Sequence, residues 1–250
     1  LSTAFEKQYK INAFDVDTEH NCKFSTLVDY LWDVVIAQSD YLGETKEGFV
    51  HNQCVWVLLK YDMKIYEYPK FRDIITVDTK VLGTKKFYGY RKNTIKNSDG
   101  KIIGEVTSTA ILIDFEKRRP MKISKDQCEV YGIEGELKEV PPLDDIKEVI
   151  NEDFIKEYPI RYSDIDSNGH VNNVRYMEMA MDTLPRHILN DYNLFNIKVL
   201  FKKETTDGDT LHISSQIIND EDSEITTVHT ITSNNTGKLL TKVQFVWKKK

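Results

Sequence analysis

The chain has 250 residues, 40% of them hydrophobic and 30% charged, with a formal net charge of −6, which suffices for one large domain or two small ones. That acidic balance argues against general nucleic-acid binding. No apolar run approaches the ~20 residues of a membrane span, and the first residues lack the basic-then-apolar order of a secretory signal.

In chain order, Phe5–Ile11 reads as a short alternating strand, followed by a polar turn containing Asp15 and Asp17. Phe24, Leu27, Val28, Leu31, Val34 and Val35 then recur at helical spacing. Thr26 with Asp29 has the form of a capping box for that helix, and Gly43 suits its end. "IITVDTKVL" alternates as a strand, and Asn97-Ser98-Asp99-Gly100 marks a turn. Residues 124–153 contain Gly132, Gly135, Pro141 and Pro142 and are rich in acids, as expected of a surface linker with some short helix. Beyond it the order repeats: a strand from Phe154, a polar turn, and a helical stripe of Val174, Met177, Ala180, Met181 and Leu184 that Pro185 ends or bends. The strands "TLHISSQII" and "LLTKVQFVW" follow, with turns at Asp207-Gly208 and Asn234–Gly237.

The recurrence is visible in the letters. At a shift of 149 residues Phe5, Lys7, Tyr9, Ile11, Asp15 and Asp17 fall on Phe154, Lys156, Tyr158, Ile160, Asp164 and Asp166. Six identities in thirteen ungapped positions indicate two copies of one unit. One helix followed by several antiparallel strands, twice over, is an α+β design. The expected organisation is a first unit over 1–123, a linker over 124–153 and a second unit over 154–250.

Three widely spaced cysteines, Cys22, Cys54 and Cys128, form no Cys-x-x-Cys, and the six histidines show no close pairing. A reduced, cytoplasmic protein without a metal site is expected.

"RYSDIDSNGHVNNVRYMEMA" at 161–180 concentrates polar side chains immediately before the second helix. Comparison of the copies separates frame from chemistry. Asp164 and Asp166 persist in the first copy, as turn or cap residues would. Asn168 and His170 are replaced there by Glu19 and Asn21, so they are the better chemical candidates, and one active site per chain is expected. Asn172 and Asn173 stand at the expected helix start, where at least one should serve as the cap.

The string Asp166-x-Asn168-x-His170-Val171-Asn172-Asn173-x-x-Tyr176 resembles the signature of acyl-[acyl-carrier-protein] thioesterases, plant-type and bacterial. "FKKETTDGDTL" resembles the segment carrying their catalytic glutamate, here Glu204, and "SDGKIIGEVTSTAILIDFEKRRP" resembles their first-domain stretch ending in a double arginine. The resemblance covers nearly the whole chain. It implies a tandem double hotdog, each unit a central helix wrapped by an antiparallel sheet, with the first unit holding the acyl chain and the second the chemistry. It further implies hydrolysis of a fatty acyl thioester delivered by acyl carrier protein on a phosphopantetheine arm, in a bacterial cytoplasm and without a cofactor of the enzyme's own. Asp166, Asn168, His170 and Glu204 become the catalytic candidates. Asn172, Asn173, Tyr176, Arg118, Arg119, Lys202 and Lys203 become candidates for substrate or carrier contacts, and Lys117 extends the first basic group. Plant members carry a cysteine after the glutamate where this chain has Thr205, so the resemblance does not extend to a thiol nucleophile.

With no Gly-x-Ser-x-Gly elbow in the chain, water is the economical nucleophile. Glu204 is the expected base, Asn168 and the helix start the expected carbonyl donors, and His170 the partner of Glu204. An acyl-coenzyme A thioesterase and a non-catalytic acyl-binding sensor are the alternatives. A homodimer is compatible with the same reading.

Overall fold

A computed structural model describes residues 4–43, 54–114 and 116–250. The described residues form two compact units, one running to residue 143 without 60–64, the other comprising 144–250 together with 60–64.

In the first unit, β1 (Phe5–Lys10) leads through a 3-10 turn into helix α1 (Phe24–Tyr41). Strands β2 (Cys54–Ile65), β3 (Ile74–Lys85), β4 (Tyr88–Lys96) and β5 (Ile102–Asp114) follow. Their order is β1-β3-β4-β5-β2, and a two-residue β6 (Arg119–Pro120) pairs with β5. Helix α1 packs on β1 and β3. Leu27, Val28, Leu31 and Val34 are buried, so the apolar stripe covers the sheet, each side chain contributing ~1.5–3 kcal/mol by leaving water. The helix begins earlier than the Thr26/Asp29 pattern suggested: Phe24 is its first residue and Lys23 the cap, without a side-chain bond. The cause is upstream, where Lys23 N–H is fixed by the Asp15 carbonyl (2.8 Å), so the turn sets the start. Gly43 ends the helix at φ +78°, as expected.

The second unit repeats this plan. β7 (Phe154–Pro159) and a 3-10 turn precede helix α3 (Asn173–Met181) and a short α4 (Arg186–Asp191) that Pro185 initiates. β8 (Tyr192–Phe201), β9 (Thr210–Glu221), β10 (Glu224–Ser233) and β11 (Leu239–Lys249) then form the order β8-β11-β10-β9-β7, the first unit's order read from the other end. Residues Lys60–Lys64 pair with β8 and belong to this unit. Helix α3 packs on β9, β10 and β11, its Met177 and Ala180 fully buried above a core that includes Ile213, Ile231, Val243 and Phe245.

A buried hydrogen-bonded chain ties the end of α3 to its sheet. Thr183 Oγ1 donates to the Ala180 carbonyl (2.7 Å) and so accepts from Ser215 Oγ (2.5 Å). Ser215 therefore accepts from His229 Nδ1 (2.6 Å), leaving Nε2 to accept from Thr227 Oγ1 (2.9 Å), which in turn accepts from Trp247 Nε1 (3.2 Å). Only one proton arrangement satisfies every member, with His229 neutral and protonated on Nδ1.

The segment between the repeats is anchored at both ends. Short helix α2 (Lys125–Val130) is capped by Ser124, and Leu137 packs against the bare backbone of Gly83 in β3. Residues 144–153 lie on the second sheet: Asp144 pairs with Lys198 (2.6 Å), Glu148 with Lys242, and Gln216 accepts from the Ile150 N–H (2.8 Å).

Candidate active site

The polar turn before α3 is held by its own carboxylates. Asp164 is buried and accepts from the backbone N–H (2.8 Å), Nε (3.2 Å) and Nη2 (2.9 Å) of Arg161. Burial alone would raise its pKa; the Arg161 bonds outweigh this and hold the carboxyl below its ordinary value. Asp166 Oδ1 accepts from the Asn168 N–H (2.7 Å), while its backbone N–H donates to the His170 carbonyl (2.8 Å). Gly169 turns the chain at φ +79°, a left-handed conformation that costs a side-chain-bearing residue energy.

The same frame stands in the first unit, residue for residue at the shift of 149. Asp17 N–H donates to the Asn21 carbonyl (2.9 Å), Asp17 Oδ1 accepts from the Glu19 N–H (2.8 Å), and His20 adopts φ +62° at the place of Gly169. Lys23 N–H reaches the Asp15 carbonyl as Asn172 N–H reaches that of Asp164 (2.9 Å). Asp164 and Asp166 therefore have a frame role that does not depend on the chemistry of the second copy.

Glu204 comes to this turn from the segment after β8. Val171 N–H donates to the Thr205 carbonyl (2.9 Å), and Thr206 Oγ1 donates to the Gly169 carbonyl (2.8 Å). These bonds set the Glu204 carboxylate 3.4 Å from His170 Nε2, with 44% and 33% of the two side chains exposed. The pair is thus both solvent-accessible and held by backbone. Asn168 is exposed beside it, its side chain without a hydrogen bond among the described residues.

Asn172 caps α3, its Oδ1 accepting from the Val174 N–H (2.9 Å). With the N–H groups of Val171, Asn172, Val174 and Arg175 all engaged, the Asn173 N–H is the donor at the helix start left without a partner among the described residues. Tyr176 is 2% exposed and packs edge-on against Phe201. Its hydroxyl has no partner in hydrogen-bond geometry, although the Thr205 N–H lies near enough to favour its ionised form; burial, the larger influence, pushes its pKa up. Arg175 pairs with Glu178 (2.5 Å).

The basic candidates divide between the units. Lys202 and Lys203 are exposed next to Glu204, their backbone N–H groups both donating to the Leu240 carbonyl (2.7 and 3.1 Å). Neither ammonium makes an ion pair among the described residues. Lys117 and Arg118 belong to the β5–β6 turn of the first unit, where Lys117 pairs with Asp114 (3.3 Å), and Arg119 opens β6. Sequence reasoning missed Asp209, which is 7% exposed and accepts from Thr205 Oγ1 (2.8 Å) and the Thr210 N–H (2.8 Å). The Asp207-Gly208 turn signal drew attention away from it.

Two family models match the chain, the acyl-ACP thioesterase N-terminal domain over residues 2–131 and the C-terminal domain over residues 147–249. The chain belongs to the acyl-ACP thioesterase family. Among curated relatives of this family member, the chloroplastic oleoyl-acyl carrier protein thioesterase 1 of Arabidopsis thaliana is 22% identical over 229 residues, 83% of this chain and 62% of that protein. The chloroplastic palmitoyl-acyl carrier protein thioesterase of Gossypium hirsutum is 24% identical over 213 residues, covering 80% and 52%. The chain thus spans between half and two thirds of the length of these plant proteins. A crystal structure from Lactobacillus plantarum, provisionally described as an oleoyl thioesterase, superposes with a TM-score of 0.93 at 26% identity, covering 99% of this chain and 97% of that one. The 12:0-ACP thioesterase from Umbellularia californica gives 0.84 at 17% identity, over 99% and 95%. The hotdog architecture expected from the resemblance is the one found.

Proposed function

We propose that the chain hydrolyses fatty acyl-[acyl-carrier-protein] thioesters to the free fatty acid and the carrier protein. One observation carries the reading: His170 and Glu204, 34 residues apart, meet at 3.4 Å on the turn before α3, in a family of acyl-ACP thioesterases. Glu204 takes a proton from water, and the oxygen attacks the thioester carbon. Asn168 and the Asn173 N–H are the donors suited to the oxyanion. Collapse of the tetrahedral intermediate breaks the C–S bond, and the leaving sulfur takes the proton back from Glu204. His170 holds the Glu204 carboxylate in place across both transfers. Asp166 keeps the turn that presents Asn168. Thr205 is not a nucleophile in this scheme, in which water attacks directly and the Thr205 hydroxyl stays with Asp209 (2.8 Å).

Acyl carrier protein, an acidic partner, suits the two basic groups at Lys117, Arg118 and Arg119 and at Lys202 and Lys203, with the second beside the reacting pair. Steady-state hydrolysis of oleoyl- and palmitoyl-[acyl-carrier-protein] by Glu204→Ala and His170→Ala tests the reading. Losses of about 100-fold or more in kcat are expected for the first and about tenfold or more for the second. Near-normal turnover by both variants would sink it. Faster turnover of the matching coenzyme A esters by the unmodified chain would move the substrate class from carrier protein to coenzyme A.

A further inference from the structure

The duplication supplies an internal comparison for the segment that carries Glu204. Cys22 N–H donates to the Pro69 carbonyl (2.7 Å) as Val171 N–H donates to that of Thr205, which matches Thr205 with Pro69 and Glu204 with Tyr68. The register extends to the next carboxylate: the Asp73 carbonyl accepts from the Ile11 N–H (2.9 Å), and the Asp209 carbonyl from the Ile160 N–H (3.1 Å). Both copies therefore keep an aspartate at this place. Its side chain is used differently. Asp73 Oδ2 accepts a backbone N–H, that of Lys70 (2.7 Å), whereas Asp209 Oδ2 accepts the Thr205 hydroxyl (2.8 Å). Proline at 69 has no hydroxyl to offer. The Thr-to-Asp link is present in the copy that carries the glutamate and lacks any counterpart in the copy that does not.

We propose that Asp209, acting through Thr205, is the positioning residue that fixes the Glu204 carboxylate against His170. The proposal rests on the reading of Glu204 as the base. Asp209 is suited to the task because it is itself immobilised. Its Oδ1 accepts from the Thr210 N–H (2.8 Å) and the Asn235 N–H (3.2 Å), which anchors it to the start of β9 and the β10–β11 turn. Burial raises its pKa, but hydrogen bonds from Ser233, Thr205 and these two amides more than offset the rise and keep it ionised. Thr205 receives that rigidity at its side chain and passes it on at its backbone, where its carbonyl holds the Val171 N–H beneath the polar turn. Glu204 is the neighbouring residue, with 44% of its side chain exposed, so its setting against His170 depends on how the backbone at Thr205 is held. An angstrom of freedom at a general base is costly, since proton transfer needs a near-contact geometry.

Three variants assayed with oleoyl-[acyl-carrier-protein] test this. Thr205→Val removes only the hydroxyl and keeps the shape. Thr205→Ser restores the hydroxyl. Asp209→Asn retains an oxygen for the backbone amides but turns an amide donor toward Thr205, so the hydroxyl can no longer donate to a carboxylate and can meet residue 209 only by accepting. The expected result is a fall in kcat of about tenfold for Thr205→Val and Asp209→Asn, with KM within about twofold of the unmodified chain, and recovery of most of that loss in Thr205→Ser. Wild-type kcat in a folded Thr205→Val, or a Thr205→Ser as slow as Thr205→Val, would overturn the inference. So would an acyl ester on Thr205 found by mass spectrometry after rapid acid quench, because Thr205 would then be the nucleophile. Glu204→Gln measured alongside separates the two levels. An inactive Glu204→Gln with a fully active Thr205→Val removes only the positioning role, whereas an active Glu204→Gln removes the base assignment and this role with it.

Discussion

At the scale of single residues, the second unit contains a histidine whose state is dictated by its neighbours. His229 is 1% exposed and lies between Ser215 and Thr227, and burial holds its pKa down from 6.5 to about 3. Between those values the unfolded chain binds a proton that the folded chain does not. The stabilisation is therefore complete above pH 6.5 and is lost as pH falls toward 3, by on the order of 5 kcal/mol for a shift of this size. Asp164 and Asp209, both held below the ordinary carboxylate range, begin to add their losses as pH falls toward the ordinary carboxylate value of the unfolded chain, and go on losing stability below it. Urea unfolding across a pH series should show stability declining from about pH 6 in the unmodified chain. His229→Gln should flatten the slope between about pH 6 and 4.5, before the carboxylates titrate. An unchanged slope would mean that other groups carry it.

At the scale of elements, the polar turn is one piece of backbone used twice. Gly169 and His20 occupy matching left-handed positions, at φ +79° and +62°, and a Cβ on Gly169 would meet nothing within 4 Å. Gly169→Ala should therefore cost about 1 kcal/mol from backbone strain alone. The reverse change, His20→Gly, should be neutral or stabilising by up to about 1 kcal/mol. Denaturant midpoints of the two variants check the pair, and opposite signs to these would show that the two turns do not share a conformation in solution. The turn also shows what was readable beforehand. The frame formed by Asp164 and Asp166 was legible because the copies share them, while the difference between the copies at 168 and 170 made Asn168 and His170 candidates for the chemistry, with Asp166 beside them from the resemblance. Asp209 was not legible. Its counterpart Asp73 lies 136 residues away rather than 149, because the intervening segments differ in length, and a single fixed shift cannot pair them. The start of α1 was misplaced for a related reason: a local capping pattern at Thr26 carried less weight than a hydrogen bond from Lys23 to the turn.

At the scale of the whole molecule, the proposed function would have an acidic chain of net charge −6 attract an acidic carrier, which calls for local groups rather than overall charge. Individual exposed pairs are weak, so the test reverses charges in pairs. Arg118→Glu with Arg119→Glu, and separately Lys202→Glu with Lys203→Glu, should raise KM for the carrier-protein substrate several-fold and weaken its dependence on salt. Hydrolysis of a small neutral thioester should be spared by the first pair. If both substrates suffer equally, the arginines serve the fold and not the docking. Two copies of an α+β unit were readable from the repeat and the strand alternation, because both record which faces are buried, whereas the hotdog form came from the family resemblance. The placement of Glu204 beside His170 came instead from the family resemblance, since nothing in periodicity links positions 34 residues apart.

Tyr68 stands where the second copy has Glu204. The hydroxyl of Tyr68 is enclosed, and burial pushes its pKa well above the ordinary tyrosine range. A glutamate introduced there would stand beside Pro69, which has no hydroxyl to tie to Asp73 as Thr205 is tied to Asp209. Placing Asn at 19 and His at 21 would still leave the first turn without a counterpart of Glu204. On the proposed reading, a second site in the first copy would need changes at 19, 21 and 68 together, a route that no single substitution opens.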